Sequence, residues 1–414
     1  MLHALGDGIP VVALVALLAA AYLHPRGRVE ALLALGCSAV VLATGTLDAT
    51  EVRRELERLL PVVLFLMAIL VVAECCRGAG LFGAVGTRLA RAGSHQRIFA
   101  LAFVVATATT VVLSLDATVV LLTPVVLASA AATHVTARPL QLVCVRLANS
   151  ASLLLPVSNL TNLLAMPRLD VGFGRFALLM APVWVLTLLI EYAAHRLWFR
   201  DDLRQASSGR DAPSPLPLPT VPLVVVAAML AGFAAGSLVG VDPAWVAGGA
   251  AAVLAVRARR HREVSWGRLA RSTHASFALF VLALGLVVAT LGRGPLGDLL
   301  GAVLPDSTGL LALLGTALVG AVLANLVNNL PATLLIVPLV APLGTTPALA
   351  ALIGVNLGSS MTWSGSLANL LWRRSVGHHG GTVSSRDFHA VALLATPVAV
   401  VAGVTILDLW ARLV

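Results

Sequence analysis

The chain has 414 residues, of which 59% are hydrophobic and only 11% are charged. A soluble domain carries roughly 25% charged residues, so this composition excludes an ordinary soluble protein and predicts a chain built for lipid. The formal net charge is +9, and all 28 basic residues are arginine, because the chain contains no lysine. A Walker A loop needs a lysine to bind nucleotide phosphates, so the chain by itself is not predicted to be a P-loop ATPase.

Apolar stretches long enough to cross about 30 Å of hydrocarbon recur along the chain. The N-terminal stretch lacks a basic segment and a small-residue cleavage site, which indicates a retained first helix. Four further stretches are broken by polar residues, and periodicity leaves open whether they form full helices or re-entrant hairpins: 115–133, 140–165, 328–344 and 346–371. We predict membrane-spanning helices at about 8–24, 29–45, 59–76, 97–113, 173–197, 219–237, 243–257, 272–292, 309–327 and 387–411.

The most polar stretch runs from Arg196 to Pro219, near the midpoint, and the same order of elements occurs on both sides of it. Excess arginine is typical of cytoplasmic loops. We assign the following arginines to that side: Arg26, Arg28, Arg77, Arg88, Arg91, Arg97, those of the linker and of 257–271, Arg373, Arg374 and Arg386. With this assignment the two halves cross the membrane in opposite senses.

These patterns predict an all-α polytopic membrane protein with two inverted-topology repeats, about ten transmembrane helices and two re-entrant hairpins. The predicted units are a first repeat at 1–197, a cytoplasmic linker at 198–218 and a second repeat at 219–414. Such a chain is expected in the plasma membrane of a bacterium as a multi-pass protein.

Polar segments interrupt apolar stretches at matching places in the two halves. The first half carries 114–118 and 158–162, and the second carries 328–333 and 365–369. Asp116 aligns with Asn329, 213 residues later, and Asn162 aligns with Asn369, 207 residues later. Paired interruptions of this kind are the best sequence indication of the binding site of a secondary transporter.

Three carboxylates fall inside or at the ends of apolar stretches. An ionised carboxylate in lipid costs about 2.5–3.5 kcal/mol on insertion scales, and such residues commonly line substrate or proton paths. Asp116 is the strongest candidate for proton coupling, although it could simply hold broken backbone in place. Glu74 could carry protons or form an interfacial salt bridge with Arg77 or Arg146. Glu191 lies about one turn from Arg196, and we interpret it as mostly structural.

Asparagine, serine and threonine cluster in the broken segments. Their side chains, together with backbone N–H groups at half-helix ends, can form a neutral hydrogen-bonding site. The alternative is that they only join helices to one another in lipid. No cluster of cations accompanies these segments, and only Arg146 lies close to them in sequence. This favours an uncharged hydroxyl-rich cargo or an anion held by helix ends. The candidate cargo-binding residues are Ser114, Thr118, Ser158, Asn159, Asn162, Asn328, Asn329, Gly365, Ser366 and Asn369.

The four cysteines show no disulfide or zinc-site spacing. Cys75 and Cys76 are adjacent on one helix and point about 100° apart, so they are not predicted to face one ion together. Packing against apolar neighbours is the preferred interpretation. No metal site and no cofactor are predicted.

The chain resembles the arsenite efflux permeases, within the wider group of ion transporters that includes divalent-anion/sodium symporters. The matching segments are 74–82, 116–124, 156–162, 328–332 and 356–372, and together they extend over most of the chain. The resemblance implies export of arsenite and antimonite as neutral trihydroxides, driven by inward proton movement. Asp116 would then take the proton. A soluble ATPase subunit and a homodimer are left open, and no nucleic-acid partner is expected.

Two other classes of function remain as alternatives. A sodium-coupled symporter for dicarboxylates or inorganic anions, or a sodium/proton antiporter, would share the fold and differ in its sodium requirement. An intramembrane enzyme is the less favoured alternative, because the chain has no H-E-x-x-H or G-x-S-x-G motif. We predict a transporter without enzymatic activity.

Overall fold

The structure, a computed structural model, describes residues 2–23, 27–43, 45–205 and 214–414, with side chains for 8–19, 31–43, 45–205 and 214–414. All regular structure in these ranges is helical. The predicted linker 198–218, the predicted spans 8–24 and 29–45 and the predicted first repeat 1–197 extend in part outside the described residues.

The helices are numbered here in chain order. Before the linker they are α1 (Leu2–Leu23), α2 (Gly27–Ala43), α3 (Ala49–Gly78), α4 (Leu81–Ala90), α5 (His95–Leu113), α6 (Leu115–Ala132), α7 (Arg138–Ser150), α8 (Leu160–Ala165), α9 (Phe173–Trp198) and α10 (Arg200–Leu203). After it they are α11 (Thr220–Leu238), α12 (Pro243–Arg260), α13 (Trp266–Ser272), α14 (Ala275–Leu291), α15 (Pro295–Val303), α16 (Leu310–Val327), α17 (Asn329–Val340), α18 (Thr345–Gly358), α19 (Leu367–His378) and α20 (Ser385–Ala411).

Eight helical segments in the described part of the chain are long and apolar enough to cross a membrane. Seven of them overlap predicted spans, and the eighth is α6, in a stretch predicted as broken. The helix stays continuous there because a π-helical turn at Thr118–Leu122 absorbs the irregularity. The predicted span 243–257 falls within α12, whose last turn carries three arginines. The total of about ten spans stays a prediction.

Two helix boundaries deep in apolar sequence are formed by residues other than glycine at positive φ. Ser114 has φ 101° between α5 and α6, and Asn328 has φ 74° between α16 and α17. Asparagine tolerates positive φ better than most residues, whereas serine there is strained. The polar interruptions predicted from the sequence therefore coincide with real breaks in the helical path.

Two helical hairpins occupy the centre of the fold. The first hairpin spans residues 138–165 and the second spans residues 345–378, each with two helical arms joined by a partly extended tip. The first arms, α7 and α18, are buried along nearly their whole length. Gly354 and Gly358 of α18 lie so close to Ala317 and Ala321 of α16 that a Cβ atom would clash. Small residues permit this close helix contact, as is common in membrane interiors.

Charged contacts separate the loops into two groups at opposite ends of α3. At its C-terminal end, Arg77 and Arg268 surround Glu74. At its N-terminal end, Glu51 pairs with Arg293 and Glu55 with Arg168. The 30 residues of α3 rise about 45 Å at 1.5 Å per residue, so these groups lie at opposite faces of the helical bundle.

Candidate functional site

Each hairpin tip is held by an asparagine on its second arm. The Nδ2 groups of Asn162 and Asn369 each donate two hydrogen bonds to backbone carbonyls of their own hairpin, ten and seven residues earlier in the chain. The acceptors are Ser152 and Leu155 in the first hairpin and Ser359 and Thr362 in the second, at 2.8–3.1 Å. The tips therefore have their freed backbone carbonyls satisfied from within, as buried backbone requires.

The hairpins are also joined to each other by the same side chains. Asn149 Nδ2 donates to Asn369 Oδ1 at 2.9 Å, and Asn356 Nδ2 donates to Asn162 Oδ1 at 2.9 Å. All four residues are fully buried. Asn149 and Asn356 are 207 residues apart, as are Asn162 and Asn369. We call these four residues the asparagine cross.

The other predicted cargo-binding residues of the tips are engaged in capping. Asn159 Oδ1 accepts from the Thr161 N–H at 3.1 Å, and Ser366 Oγ accepts from the Ala368 N–H at 3.2 Å. Ser158 Oγ donates to the Val111 carbonyl at 2.8 Å. The structure thus brings the predicted tip residues together, but their polar atoms mainly bond to protein. We expect them to shape the site rather than to contact cargo directly.

The two helix breaks differ in how their polar groups are used. At the second break, Asn328 Nδ2 donates to the Ser364 carbonyl and the Asn329 N–H donates to the Gly365 carbonyl, both at 2.9 Å. At the first break, the buried Ser114 Oγ has no hydrogen-bond partner among the described residues. The second break is therefore closed by its hairpin, whereas the first keeps an unused hydroxyl.

Thr118, predicted to bind cargo beside that first break, is fully buried. Its hydroxyl forms a 2.7 Å hydrogen bond with that of Thr110 on the preceding helix. It begins the π-helical turn, two residues after Asp116, and does not line the cavity described next.

A cavity of about 320 Å³ contains both carboxylates predicted to couple protons. Its polar lining residues are Glu74, Asp116, Ser272 and His274, and the described residues that line it include no arginine. Asp116 forms no hydrogen bond or ion pair with any group that the structure describes, whereas Glu74 accepts a 2.7 Å bond from Arg77 Nε. The remaining lining is apolar: Leu70, Ala73, Ala117, Val120, Leu121, Phe277, Phe280, Leu367 and Leu371.

The two carboxylates differ in whether their charge is paired. The Glu74–Arg77 pair confirms one of the two salt bridges proposed for Glu74. An unpaired carboxylate in an apolar cavity needs a proton or a bound cation to offset the free energy of burying its charge. Of the two carboxylates that line this cavity, Asp116 is the one without a partner among the described residues.

Arg146 forms a fully buried ion pair that sequence reasoning missed. Its Nη2 lies 2.5 Å from Glu191 Oε1, and both side chains are 1% exposed. It also donates to Thr396 Oγ1 of α20 and to the Ser360 carbonyl of the second hairpin. Glu191 lies on the buried face of α9, whereas the exposed Arg196, about one turn later, donates to the Tyr192 hydroxyl. The buried arginine in α7 could have indicated a need for an acidic partner.

Cysteine and metal chemistry do not add to this site. All four cysteines are free, and Cys75, Cys76 and Cys144 are buried. Within the described residues, no group of three histidine, cysteine, aspartate or glutamate side chains could hold a metal ion.

The asparagine cross provides a stability prediction. Asn149→Ala leaves Asn369 Oδ1 buried without its donor, which costs about 1–3 kcal/mol. Thermal unfolding of the solubilised protein should show that Asn149→Ala and Asn369→Ala are strongly non-additive, because they remove one shared bond. Thr405→Val, at an exposed position of α20, should add independently to either. Simple additivity of the asparagine pair would contradict the cross.

Comparison of the sequence with known proteins places the chain in a transporter family. The sequence matches the citrate transporter family CitMHS over residues 7–352. An arsenical pump membrane protein of Escherichia coli (strain K12) is 29% identical over 266 residues, which cover 60% of this chain and 62% of that relative, less than two thirds of its length. An arsenical pump membrane protein of Yersinia enterocolitica is 26% identical over 397 residues, covering 90% and 92%.

A solved structure shares the fold. The YdaH transporter of Alcanivorax borkumensis, described as having an unusual topology, is 19% identical, with a TM-score of 0.51 over 89% of this chain and 90% of that one. This likeness concerns the fold alone. The helical spans and the sequence match together show that the chain is a multi-span membrane protein that belongs to the CitMHS citrate transporter family.

Proposed function

We propose that the chain is a secondary active transporter, without enzymatic activity, that exports arsenite or antimonite from the cytoplasm in exchange for protons. The observation that carries the proposal is the cavity around Asp116, which holds two carboxylates and whose described lining has no arginine. Arg77 and Arg268 are already committed to Glu74, and an ionised Asp116 repels an anion where the dielectric constant is low, so a citrate or dicarboxylate anion fits this cavity poorly. A neutral trihydroxide meets no such repulsion, and hydroxyl and carboxyl groups are available to it.

In this proposal Asp116 carries the proton, and Glu74, held by Arg77, is the second carboxylate at the cytoplasmic mouth. The buried Ser114 hydroxyl, two residues before Asp116, has no partner among the described residues, while the asparagine cross keeps the hairpin tips in register. The same hydrogen bonds recur at a spacing of 207 residues, which supports two inverted repeats at 1–197 and 219–414 joined by a cytoplasmic linker. Alternating access would then come from movement of one bundle against the rest.

The match to a citrate transporter family favours an anionic cargo. The second candidate is accordingly a sodium-coupled symporter for dicarboxylates or inorganic anions. A sodium/proton antiporter is a variant of it, since an unpaired aspartate can accept either cation. A docked ATPase subunit and a homodimer stay open, and neither is needed for gradient-driven transport.

Transport into everted membrane vesicles tests the proposal. With an acid interior, arsenite should accumulate, and the accumulation should not require sodium, because a proton leaves for each coupled cycle. Vesicles from cells that lack the protein set the background, and citrate and succinate uptake with sodium is measured in parallel. Sodium-dependent uptake of these anions, with no arsenite uptake under any gradient, would replace the proposal by the symporter.

A further inference from the structure

A second polar cavity, of about 430 Å³, borders the N-terminal half of α3. Its lining includes Arg58 and Phe65 of α3, Pro156 and Met166 at the first hairpin, Ser237 in the last turn of α11 and Asp242 at the N-cap of α12. This cavity lies beside the Glu55–Arg168 pair, at the end of α3 that is opposite to Glu74. It therefore lies toward the face away from Arg77 and Arg268.

The two cavities follow one another along the same helix. The cavity with Asp116 reaches α3 at Leu70, and the second cavity reaches it at Phe65. Five residues of helix rise about 7.5 Å and turn the side-chain direction by about 140°, so the cavities lie at neighbouring levels of α3 but against different faces of it. Each cavity also borders a different hairpin, since Leu367 of the second hairpin lines one and Pro156 of the first lines the other.

Polar groups distinguish the second cavity from a gap filled by lipid. Arg58 lines it, and its buried Nε–H bonds to no atom that the structure describes. Asp242 lines it too, although its Oδ1 also caps α12 by accepting from the Ala244 N–H. An unused buried donor is costly unless water or a ligand satisfies it. A hydroxyl-bearing molecule or water would offer the missing acceptor oxygen.

We propose that this second cavity is the vestibule on the opposite face of the same transport path. Small, uncharged, hydroxyl-bearing cargo leaves the cavity of Asp116, passes the α3 segment between Phe65 and Leu70, and reaches Arg58. The nature of the cargo rests on the proposed function, whereas the sidedness of the two cavities does not.

Labelling of single introduced cysteines with a membrane-impermeant maleimide tests the vestibule. Met166→Cys lines the second cavity and Ser272→Cys lines the first. Met166→Cys should react in right-side-out vesicles and lose its labelling in everted ones, and Ser272→Cys should do the reverse. Leu64→Cys, on α3 but outside both cavities and 50% exposed toward lipid, should stay unlabelled from both sides. The unmodified chain measures the background of its native cysteines.

Two results would overturn the vestibule: Met166→Cys unreactive from both sides, or both cysteines reactive from the same side. The labelling needs no arsenite, so it separates the two proposals. The expected labelling without arsenite transport would remove the cargo assignment and keep the vestibule. Arsenite transport with both cysteines on one side would do the opposite.

Discussion

Asp116→Asn is expected to reduce proton-driven arsenite accumulation to the level of vesicles without the protein. Asparagine keeps the size and polarity of the side chain but cannot bind and release a proton. Asp116 has no ion-pair partner among the described residues, so its exchangeable partner must come from solution. The measurement is radiolabelled arsenite uptake into everted vesicles with an acid interior.

The same variant has a second expected property that separates coupling from folding. Exchange of internal for external arsenite needs no net proton movement, so Asp116→Asn should retain it. Asp306→Asn, at an exposed loop carboxylate, is the matched control and should accumulate arsenite like the wild type. Full proton-driven accumulation by Asp116→Asn would remove Asp116 from the coupling mechanism. Loss of exchange as well would indicate a cargo-binding or folding role.

Breaking the Arg146–Glu191 pair is expected to have the largest effect on stability. Arg146→Met leaves Glu191 as an uncompensated buried charge, and Glu191→Leu does the same to Arg146. Removal of one member of a buried pair costs about 3–5 kcal/mol. The double variant replaces both charges by apolar side chains of similar volume and should recover most of the lost stability. Thermal unfolding of the solubilised protein is the readout.

An exposed ion pair supplies the control for this experiment. Arg53 and Glu57 are 76% and 63% exposed, so Arg53→Gln should change stability by only about 0–1 kcal/mol. Either of two results would show that the pair is not the buried ionic link between α7 and α9 described above. One is an Arg146→Met variant as stable as the wild type, and the other is a double variant as unstable as the singles.

The helix breaks illustrate what local sequence can predict. A serine or asparagine amid apolar residues, close to further polar residues, marks a candidate boundary, and Ser114 and Asn328 do form boundaries. The long apolar stretches could also be predicted from the sequence, because length and hydropathy suffice to define a membrane span. By contrast, α6 stays continuous through its polar residues, since a π-helical turn depends on packing as well as on composition.

Composition and spacing alone determined that this is a multi-span helical membrane protein, and they located the polar interruptions and the lone aspartate. Only the tertiary structure decided which polar groups are already used. It joined Asn149 to Asn369 and Arg146 to Glu191, across 220 and 45 residues of sequence, and it left the Asp116 carboxylate and the Ser114 hydroxyl without partners in the described residues. The physical reason is that hydrogen-bond satisfaction in a buried site is a property of neighbours in space. The type of a residue determines which hydrogen bonds it can form. The fold determines whether those bonds are already made within the protein or remain free for cargo.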